Sequence, residues 1–258
     1  MNIGVRQCVK TAALAAALAG CATVSDRPLS AGQKLDPWEN WNRKVFAFNE
    51  GLDANVLKPV ATGYRNVVPE FIRIAVGNFY ANAADGWSAI NLFLQGRLAD
   101  GLHDTTRFAT NTAFGFGGLL DIASEMGFEH HYEDFGQTLG KWGVGAGAYI
   151  VWPLLGPSSV RESFALPLDR LATPAVAFRD GAKQGTITLL LTVNTRAELH
   201  GASRIIDEIA LDKYSFIRDA YLTRRRSLVY DGEPPDRGDD DAAAPAAPQA
   251  PPASAPTR

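Results

Sequence analysis

Thiols are almost missing from this chain of 258 residues, which carries two cysteines, Cys8 and Cys21, with two methionines and four histidines. So few cysteines exclude a disulfide-built scaffold, and stability must come from packing. Basic charge is not in excess either: 25 Lys and Arg stand against 28 Asp and Glu. Binding a phosphate backbone needs a concentrated basic face, so no nucleic acid is expected as a partner. Apolar runs in the body of the chain, such as Tyr149 to Trp152 and Leu189 to Leu191, fall far short of a membrane-spanning length. The HExxH, GxSxG and GxxxxGKS/T patterns are also lacking, and with them the usual signatures of zinc proteases, serine hydrolases and P-loop nucleotidases.

What the chain does have begins with a leader. Arg6 and Lys10 precede an alanine- and leucine-rich stretch, Thr11 to Ala19, which runs into Leu18-Ala19-Gly20-Cys21. A charged start, a short apolar middle and small residues before a cysteine make a bacterial lipoprotein signal over 1–20, with Cys21 the acylated first residue of the mature protein. An ordinary signal peptide that happens to contain a cysteine is the alternative. Removing 1–20 takes away Cys8, Arg6 and Lys10, so Cys21 becomes the sole thiol and the loss of two cations moves the formal charge from −3 to −5.

Ser25, Asp26, Pro28, Ser30, Gly32 and Gln33 mark 21–35 as a polar tether. Within 231–258, Asp239-Asp240-Asp241 gives way to alanine and proline, with too little large apolar surface to offset ordering entropy; a disordered tail is predicted. Between these, 36–230 shows no internal repeat and reads as one mainly α domain. Asp36 is placed to cap a helix with Pro37 in its first turn and Glu39 reaching back, and Trp38, Trp41, Val45, Phe48 and Leu52 form one apolar stripe. Ile72, Val76, Phe79, Ala83, Trp87, Ile90 and Leu94 make a longer stripe between Pro69 and Gly96, and helix continues over 97–112 to end near Gly115. Frequent glycines from Gly115 to Gly147 then predict turns and short helices, with a strand at Tyr149–Trp152. One helix is expected over 186–211 and a last one over 214–229.

His130-His131-Tyr132-Glu133-Asp134 gathers imidazoles and carboxylates, but adjacent histidines diverge on a helix or strand, and a solvated turn is the expected setting. Val144-Gly145-Ala146-Gly147 has part of a phosphate-cradling pattern without its third glycine, and Ser158-Ser159 has no local base. No catalytic residue, metal ligand or cofactor site emerges. Trp38, Trp41, Trp87, Trp142 and Trp152 read first as core residues and second as a girdle at a membrane interface.

Several ordered blocks carry more information than any single motif. They include Asp36-Pro37-Trp38-Glu39 with Asn42-Arg43 and Phe48-Asn49, then Gly77-Asn78-Phe79, Asn91-Phe93-Leu94-Gln95-Gly96, and Arg107-Phe108 with Asn111-Thr112. Gly115 through Ala123, Asp134-Phe135-Gly136-Gln137-Thr138-Leu139-Gly140 and Trp142-Gly143-Val144-Gly145 follow. Together, from about Asp36 to Arg226, they resemble the MlaA (VacJ) outer-membrane lipoproteins. The resemblance implies a doughnut-shaped helical domain in the inner leaflet of the outer membrane, with a central amphipathic channel. It implies no enzyme: mislocalised phospholipid would leave the outer leaflet and pass to a soluble periplasmic carrier, MlaC-like, with a trimeric porin as a further partner. A structural envelope lipoprotein and a lipid hydrolase are the alternatives. Within such a channel, Asn78 and Phe79 are candidate gating residues, the other role open to them being a hydrogen bond and packing inside the core. Gly143, Gly145 and Gly147 are candidates for a mobile loop at the opening, or for tight turns.

If Cys21 is acylated, Cys21→Ser is expected to leave an unprocessed or soluble protein. Membrane fractionation and intact mass check this, and no change in either would exclude acylation at Cys21.

Overall fold

The computed structural model describes residues 35–235. Cys21, the cleavage site, the tether up to residue 34 and the tail beyond residue 235 lie outside the described residues. The chain opens with α1 (Glu39–Leu52), which runs through one π-helical turn (Asp53–Leu57) directly into α2 (Lys58–Val67). Pro59 lies in the first turn of α2 and has no N–H to donate, so the ladder is interrupted where the π turn widens it. α3 (Glu70–Leu94) and α4 (Leu98–Phe114) form a long helical hairpin, turned at Gly96 with φ +80°. The glycine-rich middle holds two short helices, α5 (Ile122–Glu125) and α6 (Phe135–Lys141), capped by Asp121 and Asp134.

The strand expected at Tyr149–Trp152 is β1, and it pairs antiparallel with β2 (Gly156–Ser159), Tyr149 opposite Ser159. Ser159 then caps α7 (Val160–Asp169), and two short 3₁₀ turns lead to α8 (Gly181–Glu198), α9 (His200–Ile209) and α10 (Lys213–Val229). The single helix expected over 186–211 is therefore two, broken at Leu199, where ψ is near 1°. Gly201, two residues beyond it, lies in the first turn of α9.

The helices are where periodicity places them, but their faces are reversed. An amphipathic helix in water buries its apolar stripe. Here α3 buries Asn82, Asp85, Ser88 and Asn91 beside Ala89 and Leu92, and α4 buries Gly101, Asp104, Arg107 and Asn111. Of the stripe residues, Phe79, Ile90 and Leu94 are exposed on α3, and Leu98 and Leu102 on α4. Trp38, Trp41, Trp142 and Trp152 are exposed as well. Trp87 alone is partly enclosed, its indole N–H donating to Asp169 Oδ1 at 2.9 Å. The core reading of the tryptophans is thus overturned, because the apolar stripes face outward.

A small apolar core does form around the hairpin, from Val45, Tyr149, Val151 and Tyr214 with Phe46, Tyr221 and Leu222 against it. Two asparagines one heptad apart on α1 bind the hairpin backbone, Asn42 at the free edge of β1 and Asn49 at the turn that follows it. Asn42 donates to the Tyr149 carbonyl at 3.1 Å and accepts from the Val151 N–H at 2.8 Å; Asn49 does the same for Trp152 at 3.0 Å and Leu154 at 2.8 Å. Asp36 does not cap α1 as expected. It is buried, accepting from Asn42 Nδ2 at 2.8 Å and from the Tyr214 hydroxyl at 2.5 Å, and so ties the first helix to the last.

Asn42→Ala would strand a buried N–H, a buried carbonyl and one Asp36 oxygen together. The expected loss is about 2–3 kcal/mol, since an unsatisfied buried group costs about 1–3 kcal/mol. Denaturant unfolding in detergent checks it, and a loss near zero would show that the Asn42 bonds add nothing to the packing and pairing that hold β1.

Candidate functional site

The interior between α3, α4 and the 121–131 segment is organised by Arg107, which has no exposed surface. Its guanidinium donates to Asp85 Oδ2 at 3.3 Å, Asp121 Oδ1 at 3.2 Å, Ser124 Oγ at 3.2 Å and the Phe128 carbonyl, and lies 2.6 Å from His130 Nε2. His130 Nδ1 is 2.8 Å from Asp85 Oδ1. That geometry belongs to the neutral ring, with Nδ1–H donating to Asp85 and Nε2 accepting from Arg107. The Asp85 bond pushes the imidazole pKa up against burial and the Arg107 charge. Protonation at Nε2 would put two donors face to face and break the Arg107 contact.

Asn111, one turn from Arg107, donates to Asp121 Oδ1 at 2.9 Å and accepts from the Ala123 N–H at 2.8 Å. The expectation of a solvated turn at His130-His131 is therefore corrected: both rings are drawn inward by aspartates, His131 Nδ1 lying 2.7 Å from the buried Asp104. A second buried network surrounds Arg225, which grips Asp134 Oδ2 and Oδ1 at 2.5 and 2.8 Å and reaches Glu162 Oε2 at 2.5 Å. Burial opposes the charge of Arg225, but these carboxylates outweigh it and raise its pKa.

On the other side of the fold a cavity of about 790 Å³ opens between α1, the π turn, the β1–β2 loop and α8. Phe46, Leu52, Leu57, Leu154, Leu155 and Leu189 supply apolar walls, while Gln184, Thr188 and Thr192 form a polar line four residues apart along α8. The threonine hydroxyls are spent on their own helix, Thr188 donating to the Gln184 carbonyl and Thr192 to the Thr188 carbonyl, each at 2.9 Å. This leaves a weakly polar strip facing an apolar wall. Gly181 and Gly185 line the same cavity, and a Cβ at either would meet open space. Asp53 and Glu50 lie at its edge, Asp53 held by Arg196 at 2.6 and 2.9 Å and Glu50 paired with Lys213.

The gating candidates fall in two separate places. Asn78 is half-buried, donating to the Leu119 carbonyl at 3.2 Å, and Phe79 is 38% exposed. Neither belongs to a packed core. Gly143 and Gly145 line a different cavity of about 400 Å³ beside Arg161, Tyr221 and Arg225. Gly143 and Gly147 take φ values of +90° and +71°, which fit tight turns, and a Cβ on Gly147 would come within 2.9 Å of Val160. Gly145 has neither constraint. Sequence reading missed the α8 strip, whose residues carry an i, i+4 signal of their own in Gln184, Thr188 and Thr192. It also missed the π turn. Ser158 and Ser159 are structural: Ser159 caps α7 and Ser158 Oγ is 3.2 Å from Ser163 Oγ.

The described residues contain no helix long and apolar enough to cross a membrane. With its outward apolar faces, polar interior and amphipathic cavity, the molecule has the features of a helical protein that meets lipid by its surface. The family model described as MlaA lipoprotein matches residues 34–228, and the chain belongs to that family. An uncharacterised protein of Rickettsia typhi is 33% identical over 76% of this chain and 78% of its own length. The intermembrane phospholipid transport system lipoprotein MlaA of Escherichia coli (strain K12) is 31% identical over 78% of this chain and 80% of its own. Its namesake in Haemophilus influenzae is 31% identical over 87% of this chain and 91% of its own. A solved structure described as the "structural basis for maintenance of bacterial outer membrane lipid asymmetry" matches with a TM-score of 0.67 at 31% identity, covering 75% of this chain and 98% of that one.

Asp121 makes the Arg107 network sensitive to acid. Burial alone would raise its pKa, but bonds from the Ser124 hydroxyl, the Asn111 amide and the Ser124 N–H, with the Arg107 charge, hold it down at about 2, below its usual 3.8. A folded value below the unfolded one gives stability that is present above 3.8 and lost as pH falls through about 2. Ser124→Ala is expected to move the acid-unfolding midpoint to higher pH. Circular dichroism during acid titration checks it, and an unmoved midpoint would rule out Asp121 as a contributor.

Proposed function

We propose that this protein removes phospholipids mislocalised in the outer leaflet of the outer membrane and passes them to a periplasmic, MlaC-like carrier, keeping the two leaflets asymmetric. The observation that carries this reading is the amphipathic cavity of about 790 Å³ in a molecule whose large apolar side chains face outward. Phe71, Phe114, Phe116 and Phe164 are each more than 70% exposed, while Arg107 and Asp104 are fully buried. In water that arrangement is unfavourable at about 25 cal/mol per Å² of apolar surface, whereas in a leaflet the same surface is solvated. Acyl chains are matched by the leucine wall, while a headgroup lies at the open mouth of the cavity, where water keeps it solvated. Family membership and the names of the relatives support the same substrate.

The finer parts of the reading follow from it. Cys21 is the acylated anchor, 1–20 the signal peptide, 21–35 the tether, 36–230 the embedded doughnut-shaped domain and 231–258 a tail. The domain lies in the periplasmic leaflet, a trimeric porin is a second protein partner, and lipid moves without catalysis. Asn78 and Phe79 act in gating. Support for that role is the Asn78 bond to Leu119, which joins α3 to the turn after Gly115, Gly117 and Gly118. Gly143, Gly145 and Gly147 shape the smaller cavity.

Gly185→Trp tests passage through the larger cavity. The first atom of the new side chain meets open space, Gly185 lines the cavity, and replacing glycine inside a helix removes a penalty of up to about 1 kcal/mol, so folding is expected to be intact. In a strain that depends on this variant, normal protein abundance with phospholipid accumulating in the outer leaflet is the expected result. Normal leaflet composition would exclude this cavity as the route. The joint alteration Asn78→Ala with Phe79→Ala is read in the same assay, where a stable protein with unaltered outer-leaflet lipid would reject gating.

A further inference from the structure

His103 and Asp104 are neighbours on α4, and the segment between α5 and α6 brings His131 against them. One donor atom from each of the three residues lies within 4.8 Å of the others. Asp104 has no exposed surface, and no lysine or arginine pairs with it among the described residues. Its Oδ1 faces His131 Nδ1 at 2.7 Å and His103 Nδ1 at 3.4 Å. Its Oδ2 is buried with no hydrogen-bond partner. An orphaned carboxylate oxygen in an enclosed site is costly. Arg107, one turn away, does not relieve it, being committed to Asp85 and Asp121.

We propose that His103, Asp104 and His131 form a binding site for a first-row divalent transition cation of the zinc class. The donor set argues the class: two imidazoles and one carboxylate suit zinc, whereas calcium and magnesium require mostly oxygen ligands. At zinc bond lengths of about 2.0–2.1 Å, tetrahedral ligand atoms stand about 3.3 Å apart, close to the His103–Asp104 separation already present. His131 Nδ1 gives up its proton and its bond to Asp104 when it takes the ion. The fourth position goes to water, which reaches the cluster because the His103 and His131 side chains are 30% and 26% exposed.

The surroundings hold the ligands in place. The Ser88 hydroxyl donates to the His131 carbonyl at 2.5 Å and accepts from the Glu133 N–H at 3.2 Å, fixing the segment on both sides of Tyr132. The Phe128 ring stands 5.1 Å from that of His103, and the two imidazoles meet edge to face at 5.2 Å. A bound ion would fasten α4 to the segment that carries Phe128 and His130, both of which contact Arg107. The site is therefore a clasp on the fold, and it does not rest on the lipid-transport reading.

The test uses the full mature protein in detergent, free of affinity tags, stripped with a chelator and given zinc or cobalt alone. Competition with a chromophoric chelator is expected to show one zinc per chain. Cobalt is expected to give the visible bands of tetrahedral coordination. His103→Ala and His131→Ala should each weaken binding at least about tenfold, because losing even an outer-shell partner costs about 10–100-fold. Zinc should raise the thermal midpoint of the parent and not of these variants. His200→Ala, on α9, should bind as the parent does. Circular dichroism confirms that each variant is folded, and both rings are partly exposed, so their removal spares the core. Failure of the folded parent to take up zinc, or equal uptake by both His→Ala variants, would overturn the proposal.

Discussion

A guanidinium with no access to solvent can persist only if its charge and its donors are met on all sides, and Arg107 sets that requirement for its half of the molecule. Asp85 must come from α3, Asp121 from the cap of α5 and Ser124 from α5 itself, and the Phe128 carbonyl and His130 from the segment beyond. Each partner is fixed in turn, Asp121 by Asn111 and the α5 cap, His130 by Asp85. The α3–α4 interface takes in these polar groups together with Ala89 and Leu92, and the Phe93 and Phe108 rings lie against Gly101 and Gly86, while Phe79, Ile90, Leu98 and Leu102 are left on the outer surface. The outward apolar faces and the inward charges are therefore one arrangement seen from two sides.

The larger cavity is framed differently. Arg196 to Asp53, Lys213 to Glu50 and Asp207, and Arg43 to Asp212 connect α1 and the π turn with α8 and α10. Pairs at this exposure contribute about 0–1 kcal/mol each, so they supply little of the stability. Their effect is on geometry, since they hold the helices at the cavity mouth in one relative position. Glu50 and Asp53, the charged groups that line the cavity, are thereby paired.

Much of the helical layout was legible because periodicity, prolines and glycines mark ends clearly: Pro69 and Gly96 bracket α3, and Gly115 closes α4. The strand at Tyr149–Trp152 was legible too. The direction of the faces was not, because periodicity reports a stripe without reporting what lies against it. Arg107, Asn111 and Asp121 were visible as part of a family pattern, yet their mutual contact depends on the turn at Gly115 to Leu120. His103 and His131 stand far apart in sequence on different elements, so no local spacing announces them. The break at Leu199 was signalled locally by Gly201 alone, inside an otherwise continuous helical pattern, and the buried role of Asp36 was hidden by its plausibility as a cap.

The asparagines on α1 have a consequence beyond fastening a hairpin. An open sheet edge is a template for another chain in water, and in hydrocarbon its unpaired backbone groups are not tolerated. Asn42 stands in for the missing neighbour strand at Tyr149 and Val151, and Asn49 meets the backbone of the turn at Trp152 and Leu154. A two-stranded ribbon whose edge is partly occupied in this way offers less template to a passing strand. Side-chain amides thus do here what closure into a barrel does for larger sheets.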